Sequence, residues 1–452
     1  MKIVIHIGMH KTGSSSIQST FARLEHPDLE YIDWGISGNH SALFVLLFED
    51  IDKLAEYDSF AHRGSEFIQG LPMLRKEWQE HVSNQLAQAG TKTVVFSAES
   101  ISAPSLQSAV QRMHAFFSDW SNEVTVIGYA RPPGDFRASA FQQRLKGGFV
   151  PNLSDGSTSP QYRRRFEHID RILGRENVVI KSFMPDQLLG RDVVKDFADL
   201  IGVAPLADDQ IIRTNESLSL EAVALLYVQR KLGRGFVAGF DGAHSANNAY
   251  ISRLATIGHR KFCFSPQMLA PLLEAERDDI AWMEDRLGQP FSDVGAAHPE
   301  AISSLDELVD VALQQFDAVQ ELLGDKAVTQ GPTTPETLVQ ALEQLREGCY
   351  EEVSAVAPRQ VKATSQFLTG KGAKSMPSET VRSKATEEEL RLRTKLARIL
   401  WHNDHLTDMP SDPEERKVAF GNVAKDYQRK ALDLTRRLER NNLKLVELET
   451  QD

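Results

Sequence analysis

Four apolar runs constrain the fold of this chain more than any other feature: KIVIHIG (2–8), KTVVFSAE (92–99), EVTVIGYAR (123–131) and NVVIKSF (177–183). Each is short, rich in β-branched or aromatic residues, and apolar enough to be buried on both faces. The segments between them are long enough for helices and carry helical spacing. SSSIQSTFARLE (14–25) follows the first run, and LQSAVQRMHAFFSDW (106–120) and DVVKDFADLIG (192–202) show the same pattern. Strands that alternate with helices in this way make a parallel sheet covered by helices. Whatever follows the last residue of each strand then lies along the carboxyl edge of the sheet, where open α/β folds bind ligands.

The turn after the first run is unusual. Between positions 8 and 16, GMHKTGSSS holds two glycines (Gly8, Gly13), one lysine (Lys11) and four hydroxyl side chains (Thr12, Ser14, Ser15, Ser16). The glycine spacing is that of the phosphate-binding P-loop, G-x-x-x-x-G-K-[ST]. Position 14 is serine, however, and the lysine lies inside the loop. Amides after Gly13 would still converge on an anion at a helix N-terminus, with the serines as further donors. A plain serine-rich turn is the other reading. The lysine-to-β/γ-phosphate and magnesium arrangement of a kinase is missing.

GMHKTGSSSIQ resembles the 5′-phosphosulfate loop of sulfotransferases that use 3′-phosphoadenosine-5′-phosphosulfate (PAPS). That resemblance implies that Lys11, Thr12, Gly13, Ser14, Ser15 and Ser16 cradle the 5′-phosphosulfate. A second stretch, YARPPGDFRASAF (129–141), sets Arg131 eight positions before Ser139, and it resembles the family's 3′-phosphate site. Arg131 would be a fork-shaped donor at the end of a strand, with Ser139 returning from the next helix. The likeness is greatest to bacterial sulfotransferase-like proteins and extends in patches over residues 1–295. It implies a three-layer, P-loop-type α/β domain, PAPS as co-substrate, and no metal. By resemblance alone, Asn215 and Ser217 line the nucleotide pocket.

The implied reaction moves a sulfuryl group to an acceptor hydroxyl, with a carbohydrate or glycoconjugate expected as acceptor and a small alcohol, phenol or amine as the alternative. Lys11 would stabilise charge on the bridging oxygen as the S–O bond breaks. Glu99, at the end of the second apolar run, is the first candidate for the base; a helix-start or salt-bridging carboxylate is the structural alternative. His40, in SGNHSAL, is the second candidate, as a catalytic or acceptor-binding residue. His10 flanks the loop and is expected to shape it. The triplet Arg163, Arg164 and Arg165 reads as a solvated helix face or as a site for the adenosine end or an anionic acceptor. Two other functions remain open: a non-catalytic nucleotide-binding or interaction module of the same fold, and a P-loop kinase.

Charge and composition narrow the field. A formal charge of -12 argues against a dedicated nucleic-acid binder. The two cysteines, Cys263 and Cys349, are too few for a disulfide framework. MKIVIHIGMH is too short in its apolar part for a signal-peptide core, and the longest apolar run, ALFVLLF (42–48), is far below the ~20 residues of a membrane span. A cytoplasmic protein with no transmembrane segment is expected.

A more helical section runs from SLSLEAVALLYVQRKLG (217–233) to MLAPLLEAERDDIAWMEDRLG (268–288). Residues 296–361 are expected to form a helical extension, 362–385 a flexible linker and 386–452 C-terminal helices. In the last of these, Tyr427, Ala431, Leu434, Leu438, Asn441, Leu445 and Leu448 follow a 4-3 spacing with a polar Asn in the seam. Such a helix folds back on its own domain, pairs with a second copy as a coiled coil, or presents a face to a partner protein.

Overall fold

A computed structural model describes residues 1–57, 60, 65–203, 205–214, 217–236, 243–291, 300–324 and 332–356 of the 452. The four expected strands are present as β1 (Lys2–His6), β3 (Thr93–Ser97), β4 (Val124–Ala130) and β5 (Val178–Ser182). The three-residue β2 (Leu29–Tyr31) joins them. All pairings are parallel, in the order β2-β3-β1-β4-β5. The strand that leads into the glycine loop is therefore central. The chain builds outward on one side of β1 with β2 and β3, then crosses to β4 and β5. A topological switch point is thus created at the carboxyl end of β1.

Side chains alternate across the sheet with a period of two. Ile3, Ile5, Val94, Phe96 and Val126 face one layer, and Val4, Val95, Ile127 and Tyr129 face the other. The second layer is small. It contains α1 (Ser14–Phe21), whose Ile17 and Phe21 pack against Phe197 of a helix at Val193–Leu200. The first layer is large and begins with α2 (Ser41–Phe48), α3 (Ser65–Ala89), α4 (Gln107–Ser118), α5 (Pro133–Lys146) and α6 (Tyr162–Leu173). ALFVLLF, the longest apolar run, is most of α2. Leu43 to Phe48 are all buried, so this short helix is apolar on every side.

The helix at Val193–Leu200 is α7, capped by the Asp192 carboxylate, which accepts the Val194 amide at 2.8 Å. After it come α8 (Leu220–Leu232), α9 (Ala243–Leu254), α10 (Pro266–Ala275), α11 (Arg277–Leu287), α12 (Glu307–Leu313), α13 (Phe316–Leu323) and α14 (Pro335–Val356). The helical stretch over 268–288 is two helices, α10 and α11, meeting at Glu276. Glu276 has left helical geometry there, and its carboxylate pairs with the buried Arg137 guanidinium at 2.6 Å.

The described part of the helical extension packs on α8 and α9, and residues 1–368 form one compact unit. The expected linker at 362–385 and the heptad-like helix within 386–452 lie outside the described residues. Among the described residues, no helix is long and apolar enough to cross a membrane.

Candidate functional site

The loop between β1 and α1 is sewn into the sheet on both sides. Met9 donates its amide to the Tyr129 carbonyl at 2.9 Å, and Ala98 donates to the His6 carbonyl at 2.9 Å. Two glycines are required by the path. Gly13 has φ 76°, and a Cβ there would meet Val193 Cγ1 at 2.6 Å. Gly8 has φ 79°, and its missing side chain lets Glu99 approach so closely that a Cβ would lie 3.0 Å from the Glu99 Cβ. Lys11 is also left-handed, with φ 67°. A lysine in that region is a strained residue held by its surroundings. One such hold is visible: Arg131 Nη1 donates to the Lys11 carbonyl at 2.8 Å.

The hydroxyls of the loop do a different job from the one expected. Thr12 is fully buried and donates to the Met9 carbonyl at 2.6 Å. Ser14 is buried beside the same carbonyl. Ser16 Oγ accepts the Thr214 amide at 3.1 Å and lies 3.2 Å from its hydroxyl. These side chains brace the loop and tie α1 to the segment ending at 214. An anion at this turn is met by the main chain of the first turn, whose helix dipole is positive there, together with half-buried Ser15, Ser16 and Lys11.

Glu99 is half-buried and opens a short 3-10 turn directly after β3, against Gly8. It therefore stands beside the loop, as its position in the sequence suggests. His40 does not join them. It is fully buried, and both of its ring nitrogens are bound to main chain: Nδ1 accepts the Ser97 amide at 2.9 Å and Nε2 donates to the Ile32 carbonyl at 2.7 Å. Burial holds its pKa down to about 4. His40 is a clasp between β3 and the chain after β2, which removes the expected catalytic or acceptor-binding role.

Arg131 and Ser139 share one cavity. Arg131 leaves the end of β4 just before Pro132, a neighbour that restricts its backbone to extended conformations. Its Nε is buried without a hydrogen-bond partner, and desolvation lowers the pKa of the guanidinium. Ser139 lies on α5, and the two face a cavity of about 330 Å³ with Asp135, Ser217, Arg260 and Lys261. Arg260 Nε is held by the buried Glu221 carboxylate at 2.7 Å, and Lys261 stands 3.7 Å from Asp135. His259, Arg260 and Lys261 were not anticipated from sequence. Three cationic or ionisable residues in a row after a helix were the available signal. Ser217 lines the same cavity as Arg131 and Ser139, whereas Asn215 lies outside the described residues.

Of the arginine triplet, Arg163 and Arg164 are exposed, and Arg163 pairs with Glu167 at 2.9 Å along the helix. They form a solvated face. Arg165 turns inward, with Nε on the Pro160 carbonyl at 2.8 Å. Among the described residues no group of three or more His, Cys, Asp or Glu side chains is placed to hold a metal ion.

No protein-family model matches this chain, and no curated protein matches it. A crystal structure of a sulfotransferase from Alicyclobacillus acidocaldarius is similar at a TM-score of 0.31 and 13% sequence identity, over 64% of this chain and 96% of that one.

Proposed function

We propose that this protein is a PAPS-dependent sulfotransferase. One observation carries the reading: Arg131 joins the two expected phosphate sites. Its Nη1 is fixed on the carbonyl of Lys11, and the residue lines a cationic cavity with Ser139, Arg260 and Lys261. These residues fit a nucleoside that carries one phosphate on its ribose and another on its tail.

PAPS would supply an activated sulfuryl group. The main chain of the first turn of α1 would hold its 5′-phosphate, and Arg131, Ser139, Arg260 and Lys261 its 3′-phosphate. As the acceptor oxygen bonds to sulfur, the bond from sulfur to the phosphate oxygen breaks. Lys11 stabilises the charge left on that oxygen, and Glu99 takes the proton of the acceptor hydroxyl. The products are a sulfate ester and 3′,5′-ADP. A carbohydrate or glycoconjugate hydroxyl is the acceptor that the sequence resemblance favours.

Calorimetric titration with 3′,5′-ADP and with ATP–Mg²⁺ tests the nucleotide, and transfer of ³⁵S from labelled PAPS to acceptor fractions tests the reaction. Tight 3′,5′-ADP binding with label transfer is expected. Preference for ATP–Mg²⁺ would move the protein to the kinases, and 3′,5′-ADP binding with no transfer to any acceptor would leave a binding module.

A further inference from the structure

The corner that presents Arg131 lacks main-chain donors. Pro132 and Pro133 follow it, and neither has an N–H. The Arg131 carbonyl is instead bonded from outside the sheet, by the hydroxyl of Tyr162 on α6. Tyr162 is fully buried, with its ring edge-on to Phe291 at 5.4 Å. The first turn of α6 is in turn held by α11. Asp279 accepts the Tyr162 amide through Oδ2 and the Arg163 amide through Oδ1, both at 2.8 Å. The far end of the same helix pair is closed by Arg286, which grips Asp170 at 2.8 and 3.0 Å and the Val178 carbonyl of β5 at 2.7 Å.

A helix pair clamped at both ends thus places one hydroxyl on the main chain of the residue that joins the loop to the cavity. We propose that Tyr162 is a positioning residue for Arg131, setting where its guanidinium meets a 3′-phosphate, with Asp279 fixing Tyr162. This inference rests on the reading of Arg131 as the 3′-phosphate ligand. The Tyr162 hydroxyl does not reach for the nucleotide; it acts through the Arg131 backbone. Its loss should therefore weaken only what the Arg131 guanidinium touches.

The test uses the full chain and two nucleotides that differ by the phosphate in question, 3′,5′-ADP and adenosine 5′-phosphate. The wild type should prefer the bisphosphate, and Arg131→Ala should erase that preference. Tyr162→Phe keeps the ring and removes the hydroxyl. It should weaken 3′,5′-ADP about tenfold, the equivalent of one hydrogen bond. Adenosine 5′-phosphate affinity should fall clearly less, and the KM for PAPS should rise. Equal losses for both nucleotides, or no loss for either, overturn the positioning role. If Arg131→Ala is selective and Tyr162→Phe is not, only that role falls. A wild type with no preference for the bisphosphate brings down the site reading itself. Should Tyr162→Phe fail to fold, Asp279→Asn carries the same comparison, with a selective loss of about threefold expected and an unselective one decisive against it.

Discussion

The two ends of the proposed nucleotide site are built on opposite principles. At the β1–α1 loop several polar side chains bond within the protein. Thr12 and Ser16 have protein partners, and two glycines and a left-handed lysine shape the main chain. At the cavity between α5 and the residues after α9 one glycine, Gly258, is left-handed with φ 73°, and side chains supply the charge: Arg131, Arg260 and Lys261, with Asp135 and Glu221 as counter-ions. The difference teaches where each end is vulnerable. The loop is broken by changing its shape and the cavity by changing its charge.

Lys11→Ala gives the sharpest break, because Lys11 is the loop residue assigned to the transition state. Turnover should fall about 10³-fold, at the scale of losing one preorganised oxyanion donor. Affinity for 3′,5′-ADP should change by only a few-fold. Steady-state sulfate transfer and calorimetry check both, and full activity would remove Lys11 from its role.

Gly13→Ala attacks the same loop through shape alone. The added methyl meets Val193 in a backbone region that L-residues avoid, and urea denaturation should show a loss of about 3 kcal/mol. An unchanged midpoint would contradict the tight path described for the loop.

Acid tests the scaffold under the loop. His40 titrates near 6.5 in an unfolded chain but near 4 in the fold, so between those values the unfolded state binds more protons. Stability then falls as the pH drops from 6.5 to 4, by about 3 kcal/mol from this residue. His6, buried and held to about 3, adds to the same slope. His40→Asn should flatten the dependence by one proton across that window in denaturation curves at stepped pH. An unaltered slope would mean that His40 is protonated in the fold.

The cavity end should respond least. Arg131→Ala is expected to weaken 3′,5′-ADP about thirtyfold, or about 2 kcal/mol for a charged hydrogen bond. Raising the salt concentration should narrow the gap from wild type, because that end works by charge.

The strands whose burial left them apolar throughout were legible in sequence to within one or two residues, and so was the loop that follows β1. What the sequence hid has physical reasons. β2 is three residues, LEY, at the edge of the sheet, too short to show a pattern. The break at Glu276 falls where its carboxylate meets Arg137, a residue distant in the chain. The roles of Thr12 and His40 were set by what lay opposite: a carbonyl three residues back for one, and β3 for the other. Residue type and spacing offered hydroxyl and imidazole, and only the fold decided which way they faced. His259–Lys261 illustrate the converse, a charge cluster with no motif around it until α5 was brought alongside.

The position of β1 also sets a timetable. Ile3 pairs with Val94 on one side and with Val124 on the other. On the ribosome, β1 must wait for some 90 residues for one neighbour and 120 for the second. At about 5–20 residues per second, its two open edges go uncovered for roughly ten seconds. A nascent chain of this kind exposes an aggregation-prone segment through that interval, and β4 is the piece whose arrival ends the hazard.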